Sequence, residues 1–245
     1  MIKLLYAIGD SFVFGQEMGP PITPQNLHIF DDHKRRHCYT GIIVDSLKIE
    51  NYKNSACPAA SNERTYRMLI NDITTALLTY RPEEIFVNVG LTASVRREFC
   101  MNNAGSYYLH MHTFEPSLVH FPQCHDLWKV IVKDFNYEFG DEMFNTMMIL
   151  GIQNFLLINK IPYLMSYSIR NPATIAINEK YVPASLLDQI HKKRYYSWPS
   201  FMQFTKDNKF EMGTGHHPLE VAHLAWAEHL MKYIDENNLL DDSDL

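Results

Sequence analysis

Three short, almost wholly apolar runs set the terms on which this chain folds. Ile2-Lys3-Leu4-Leu5-Tyr6-Ala7-Ile8 stops at Gly9, Glu84-Ile85-Phe86-Val87-Asn88-Val89 stops at Gly90, and Pro162-Tyr163-Leu164-Met165-Ser166-Tyr167 makes the third. Runs of this length without polar alternation belong to strands covered on both faces, the habit of a parallel sheet. Asn51 to Ala56 is a further strand candidate. Parallel neighbours need crossover connections, and helical patterns lie between the runs. Tyr39 to Ile49 spaces Ile42, Ile43, Ser46 and Leu47 as one helix face. Asn62 to Tyr80 does the same with Met68, Leu69, Ile73, Ala76 and Leu77, with Ser61 to cap it and Arg81-Pro82 to stop it. Leu127 to Asn159 reads as helical with a break near Gly140, and Ala184 to Lys193 carries weak helical signals. The last helix is expected from Pro218 to Asn237, with Pro218 at its first position and Val221, Leu224, Ala225, Leu230 and Ile234 on its apolar face. The expected fold is α/β: a three-layer α/β/α sandwich around a mainly parallel sheet.

No repeat, linker or shift of composition divides the 245 residues, so one domain is expected over 1–245. Residues 101–123, rich in Tyr, Phe and His, read as an irregular insertion of the kind that forms a lid or substrate wall. Residues 235–245 hold five acids and read as a solvated tail. A chain 46% hydrophobic and 20% charged is neither disordered nor collagen-like. Its net charge of −6 argues against a nucleic-acid partner. No apolar run reaches the roughly 18 residues of a membrane span, and the start lacks the pattern of a signal peptide. Cys38, Cys57, Cys100 and Cys124 form no Cys-x-x-Cys pair and fit free thiols of a reducing compartment. A cytoplasmic location is therefore expected.

In parallel sheets, ligands bind beyond the carboxyl ends of the strands. Gly9-Asp10-Ser11, Cys57-Pro58-Ala59-Ala60-Ser61 and Gly90-Leu91-Thr92 all fall there. A serine at such a turn either caps it or exposes a hydroxyl, which becomes a nucleophile only beside a base. Val13 rules out the Gly-x-Ser-x-Gly elbow. Gly215-His216-His217-Pro218, at the entrance to the last helix, offers that base. Arg96 and Arg97 sit in the third turn, where a guanidinium either binds an anionic substrate group or pairs with a carboxylate. His110, His112, His120 and His125 cluster in the insertion without a Cys or carboxylate at ligand spacing. No metal or other cofactor is expected from them.

Taken in order, these segments resemble the four blocks of the SGNH (GDSL) hydrolase superfamily. Gly9-Asp10-Ser11 is similar to the first, Asn54-Ser55-Ala56-Cys57-Pro58-Ala59-Ala60-Ser61-Asn62 to the second, and His217-Pro218 to the last. Gly90-Leu91-Thr92-Ala93-Ser94-Val95-Arg96-Arg97-Glu98 resembles a divergent third block with Gly-Trp-Thr and a downstream Arg-Glu, as in viral and bacterial members. The resemblance implies a flavodoxin-like sandwich and an esterase. Ser11 would be the nucleophile and His217 the base, with Ser11, Ala59 and Thr92 forming the oxyanion hole and an ester of a small molecule or glycan as substrate. Ala59, Thr92 and Thr214 stand where the family has Gly, Asn and Asp. Thr214 can orient the imidazole through a hydrogen bond. Alternatively Asp207 or Glu211 supplies the charge, or the pair acts as a Ser–His dyad. His216 is the base if the register shifts by one. The same three departures fit a non-catalytic ligand-binding or structural relative, and exclusion of water would turn the same Ser–His pair into an acyltransferase.

Overall fold

The computed structural model describes residues 1–19, 33–94, 96–100, 108–111, 138–170 and 182–241. A five-stranded sheet is built from β1 (Leu4–Ile8), β2 (Asn51–Asn54), β3 (Ile85–Leu91), β6 (Tyr163–Tyr167) and β7 (Tyr195–Tyr196). It runs β2-β1-β3-β6-β7, with every pairing parallel. A separate antiparallel ribbon joins β4 (Arg97–Cys100) to β5 (Tyr108–Met111). Among the described residues the helices include α1 (Ser11–Phe14), α2 (Tyr39–Ser46), α3 (Asn62–Ala76), α4 (Glu138–Ile158), α5 (Ala184–Leu187), α6 (Phe201–Asp207) and α7 (Glu220–Glu236).

The apolar runs become the central strands, and their side chains divide by parity. Leu4, Tyr6, Ile8, Val87, Val89, Tyr163 and Met165 face one way, against Leu69 and Ile73 of α3 and Ile149, Ile152 and Leu156 of α4. Leu5, Ala7, Phe86 and Leu164 face the other way, against Tyr39 and Ile43 of α2, Phe201 of α6 and Trp226, Ala227 and Leu230 of α7. A side chain of this kind stabilises by about 1.5–3 kcal/mol when taken fully out of water. Two apolar faces on one sheet therefore require a helical layer on each side, and the three-layer α/β/α sandwich follows.

Several expectations are corrected. The last helix begins at Glu220, because Pro218 is held in an isolated bridge with Met212. Its buried face is Ala222, His223, Trp226, Ala227, Leu230 and Ile234, while Val221 and Leu224 are exposed. The indole of Trp226 stacks on Phe201 at 5.2 Å and turns the helix that way. Helix α4 passes through Gly140 without a break, and 127–137 lie outside the described residues. Within 101–123, Tyr108–Met111 is a strand rather than irregular chain; 101–107 and 112–123 lie outside the description. Within 235–241 the acids Asp235, Glu236 and Asp241 are exposed, and 242–245 lie outside the described residues. Leu239 is buried, and Arg194 donates to the Leu239 and Asp241 carbonyls at 3.0 and 2.9 Å. Among the described residues no helix is long and apolar enough to cross a membrane. Cys38 and Cys57 are free thiols.

Candidate active site

The carboxyl ends of β1 and β3 meet at two glycines. A Cβ on Gly9 would lie 2.5 Å from the Gly90 carbonyl oxygen, and one on Gly90 would lie 2.1 Å from Val13. Without side chains there, α1 lies directly across the strand ends. Asp10 caps α1 by accepting the Phe12 N–H at 3.0 Å, and Ser11 is its first residue. At that position the Ser11 N–H has no partner within the helix.

His217 Nε2 lies 2.9 Å from Ser11 Oγ, joining residues 206 positions apart. Its Nδ1 lies 2.9 Å from Glu17 Oε2. A carboxylate only accepts, so Nδ1 carries the proton, and Nε2 of the neutral ring is left to accept from the Ser11 hydroxyl. The imidazole also packs on Phe12, with ring centroids 5.4 Å apart. Ser11, His217 and Glu17 thus form one hydrogen-bonded line in the polarity that a nucleophile, a base and an orienting acid require.

Glu17 was not anticipated from sequence. It follows Ser11 by six residues, in a left-handed conformation (φ 67°) between Gly15 and Gly19. Its carboxylate is held by the loop that delivers His217. Oε1 accepts the Gly215 N–H at 2.7 Å and the Thr214 hydroxyl at 3.0 Å, and Oε2 accepts the His217 N–H at 3.1 Å. A Cβ on Gly213 or Gly215 would approach this carboxylate to 2.7 or 3.0 Å. Burial alone would raise the Glu17 carboxyl. The Gly215 N–H, the His217 ring and N–H and the Thr214 hydroxyl outweigh it, and together they lower it to about 2.

Thr214 does not touch the imidazole; it binds the acid that does. Asp207 is engaged instead with Gln203 at 2.6 Å, so it is not that acid, and the ring contact belongs to Glu17 rather than Glu211. His216 is exposed, in a left-handed turn (φ 62°), and it is His217 that meets Ser11. Ala59 keeps the backbone that a glycine would give. It adopts φ 62° after Pro58, and the Ala60 N–H closes the turn on Cys57 O at 3.1 Å. This is the pattern of a type II turn, held at a cost of about 1–2 kcal/mol for a residue with a Cβ. The Ala59 N–H remains as a backbone donor.

Thr92 is different. Its one hydroxyl proton goes to Asp10 Oδ2 at 2.8 Å, and its N–H goes to Asn62 Oδ1 at 3.0 Å. It is therefore a peg between the blocks and has no proton left for an oxyanion. Arg96 is ion-paired with Asp10, Nη1 to Oδ2 at 3.1 Å. Arg97 lies in β4, its side chain outside the description. Arg67 grips Glu98 at 2.8 and 3.2 Å and so fixes the third-block ribbon to α3. Among the described residues no three His, Cys, Asp or Glu side chains are grouped to hold a metal; His112, His120 and His125 lie outside them.

A parallel sheet with helices on both faces and this crevice at its carboxyl edge defines an α/β protein of the SGNH-like fold. Two of the solved structures that resemble it illustrate the likeness. One is a carbohydrate esterase whose active site displays divergent catalytic and non-catalytic binding functions. It is 13% identical, with a TM-score of 0.51 over 96% of this chain and 68% of that one. The other is a putative lipolytic protein of the G-D-S-L family from Desulfitobacterium hafniense DCB-2. It is 11% identical, with a TM-score of 0.50 over 94% of this chain and 99% of that one. No curated protein matches the sequence. The chain belongs to DUF6071, a family of unknown function whose model matches residues 25–244.

Proposed function

We propose that this protein hydrolyses carboxylic esters through Ser11, His217 and Glu17. The observation that carries the reading is the unbroken line from the Ser11 hydroxyl through the imidazole to the Glu17 carboxylate, with both contacts at 2.9 Å. In the first half-reaction Ser11 Oγ attacks the ester carbonyl carbon while its proton passes to His217 Nε2. The tetrahedral intermediate then expels the alcohol, which takes that proton as its C–O bond breaks. In the second half-reaction a water attacks the acyl-serine and gives its proton to Nε2. The carboxylic acid leaves, and Ser11 recovers its hydrogen. Glu17 holds the ring in the required tautomer and stabilises the imidazolium formed in each half. The N–H groups of Ser11 and Ala59 are the backbone donors for the oxyanion.

The substrate class that fits is an O-acetyl or other short acyl ester on a small molecule or glycan. The carbohydrate esterase of similar fold supports the glycan side of that choice. Hydrolysis of an aryl acetate, followed by absorbance, tests the reaction. The wild-type protein should turn over, and Ser11→Ala and His217→Ala should not; equal rates in all three would refute it. Addition of an alcohol acceptor separates hydrolysis from acyl transfer by the partition of products. A second reading, ligand binding without turnover, draws on the committed hydroxyl of Thr92. It predicts glycan binding that Ser11→Ala and His217→Ala leave intact, with no ester cleaved.

A further inference from the structure

The oxyanion site formed by the Ser11 and Ala59 N–H groups has two backbone donors and no side-chain donor from Thr92. Thr92 has spent its hydroxyl proton on Asp10. The neighbouring Asn62 amide is also taken, donating to Thr92 O at 3.1 Å and to Asn145 Oδ1 at 2.6 Å. The group that does reach this spot comes from four residues further along the third block. Arg96 Nη1 lies 3.1 Å from Asp10 Oδ2 and 3.5 Å from Ala60 O. Asp10 precedes Ser11, and Ala60 follows Ala59. One guanidinium nitrogen is thereby tied to both of the segments that carry the backbone donors.

We propose that Arg96 supplies the side-chain donor of the oxyanion site, in the role that Thr92 cannot fill. This assignment rests on the ester-hydrolase reading above. A guanidinium carries five N–H donors in a rigid fork. Nη1 accounts for the contacts to Asp10 and Ala60, while Nε and Nη2 donate to no group among the described residues. The side chain is only 12% exposed, so the fork is fixed in place. Asp10, fully buried, offsets the charge of Arg96 in the resting enzyme. The site therefore does not present a bare cation to any passing anion. It presents directed donors to a negative charge that exists only while the carbonyl is tetrahedral, and that difference is what lowers a barrier.

The test compares Arg96→Ala, Arg96→Lys and Arg96→Gln with the wild type on an aryl acetate, with thermal melting of each as the fold control. Loss of one such donor costs about 10²–10³-fold in kcat. That loss is expected for Arg96→Ala and Arg96→Gln with KM changed less than threefold. Millimolar guanidinium chloride should restore part of the Arg96→Ala rate and none of the Arg96→Gln rate, where the amide fills the space. A purely structural arginine would lose melting temperature and kcat together, and Arg96→Lys, which keeps the charge opposite Asp10, would keep its rate. Should Arg96→Ala fail to fold, Arg96→Lys carries the test, because it keeps the charge opposite Asp10 and loses the fork; a drop of tenfold or more in kcat supports the assignment. Folded Arg96→Lys and Arg96→Gln that lose less than tenfold in kcat would overturn it. An inert wild-type protein would overturn the parent reading as well, so the two failures are distinguishable.

Discussion

Glu17 and His217, 200 residues apart, hold each other twice. The Glu17 carboxylate accepts the ring Nδ1–H at 2.9 Å and the backbone N–H of the same histidine at 3.1 Å. The acid thus fixes both the ring and the loop that carries it, and the turn at 213–217 is folded around it.

Glu17→Gln is the sharpest probe of this arrangement. An amide can present its NH2 to Nδ1 and so favour the wrong tautomer. The expected result is a fall in kcat of about 10²–10⁴-fold, the scale of losing a positioned base, with the protein still folded. Steady-state kinetics and circular dichroism together check it.

The same carboxylate makes a pH prediction. Its folded value is lowered from 4.5 to about 2, so the ionised form is favoured by folding. That stability is fully present above about pH 4.5 and is lost as pH falls through about 2. The melting-temperature gap between wild type and Glu17→Gln should therefore narrow steadily on acidification from pH 5 to pH 2. A gap that stays constant would contradict it.

Gly215→Ala tests the loop from the other side. The added methyl would meet the Glu17 carboxylate at 3.0 Å and push it off the imidazole. A tenfold or greater loss of kcat is expected with a melting point lowered by only a few degrees. Unchanged kinetics would mean that the acid does not need its present place.

The sequence made the frame of this site legible and left its third member hidden, for physical reasons. β1, β3 and β6 are readable because both of their faces are buried, which leaves an almost wholly apolar run in each. Ser11 and His217 stood out because each adjoins a turn with its own pattern. Glu17 has no pattern: it is one of 28 acidic residues, and its partners come from a loop 197 to 200 positions away. The available signals were an acid flanked by Gly15 and Gly19 and a pair of glycines, Gly213 and Gly215, around a threonine in the expected place of the acid. β7 has only two residues, too few for any period, and α6 has seven, too few for a clear helical one.

Thr92→Val separates the peg from the donor. Removing the hydroxyl leaves the buried Asp10 one bond short, which costs about 1.5–3 kcal/mol in stability for a bond to a charged group. Thr92→Ser keeps that bond and should retain most of the stability. Urea unfolding reads both. A Thr92→Val protein as stable as wild type would show that the hydroxyl does not hold Asp10.

His223, fully buried behind Tyr39, accepts the Tyr39 N–H at 3.1 Å. Burial lowers its value from 6.5 to about 3, so folding favours the neutral ring. Its contribution is present above about pH 6.5 and is lost as pH falls toward 3. His223→Gln should flatten the decline of unfolding free energy between pH 7 and pH 4.5, and a parallel decline in both proteins would refute this.

The most direct measurement is covalent. The wild-type protein is incubated with an aryl-free alkyl fluorophosphonate, digested, and mapped by peptide mass spectrometry. The account predicts one adduct, on Ser11, formed quickly in wild type, slowed strongly in His217→Ala and Glu17→Gln, and absent in Ser11→Ala. A folded wild-type protein that takes up no label, or labels elsewhere at the same rate in all four proteins, would contradict it.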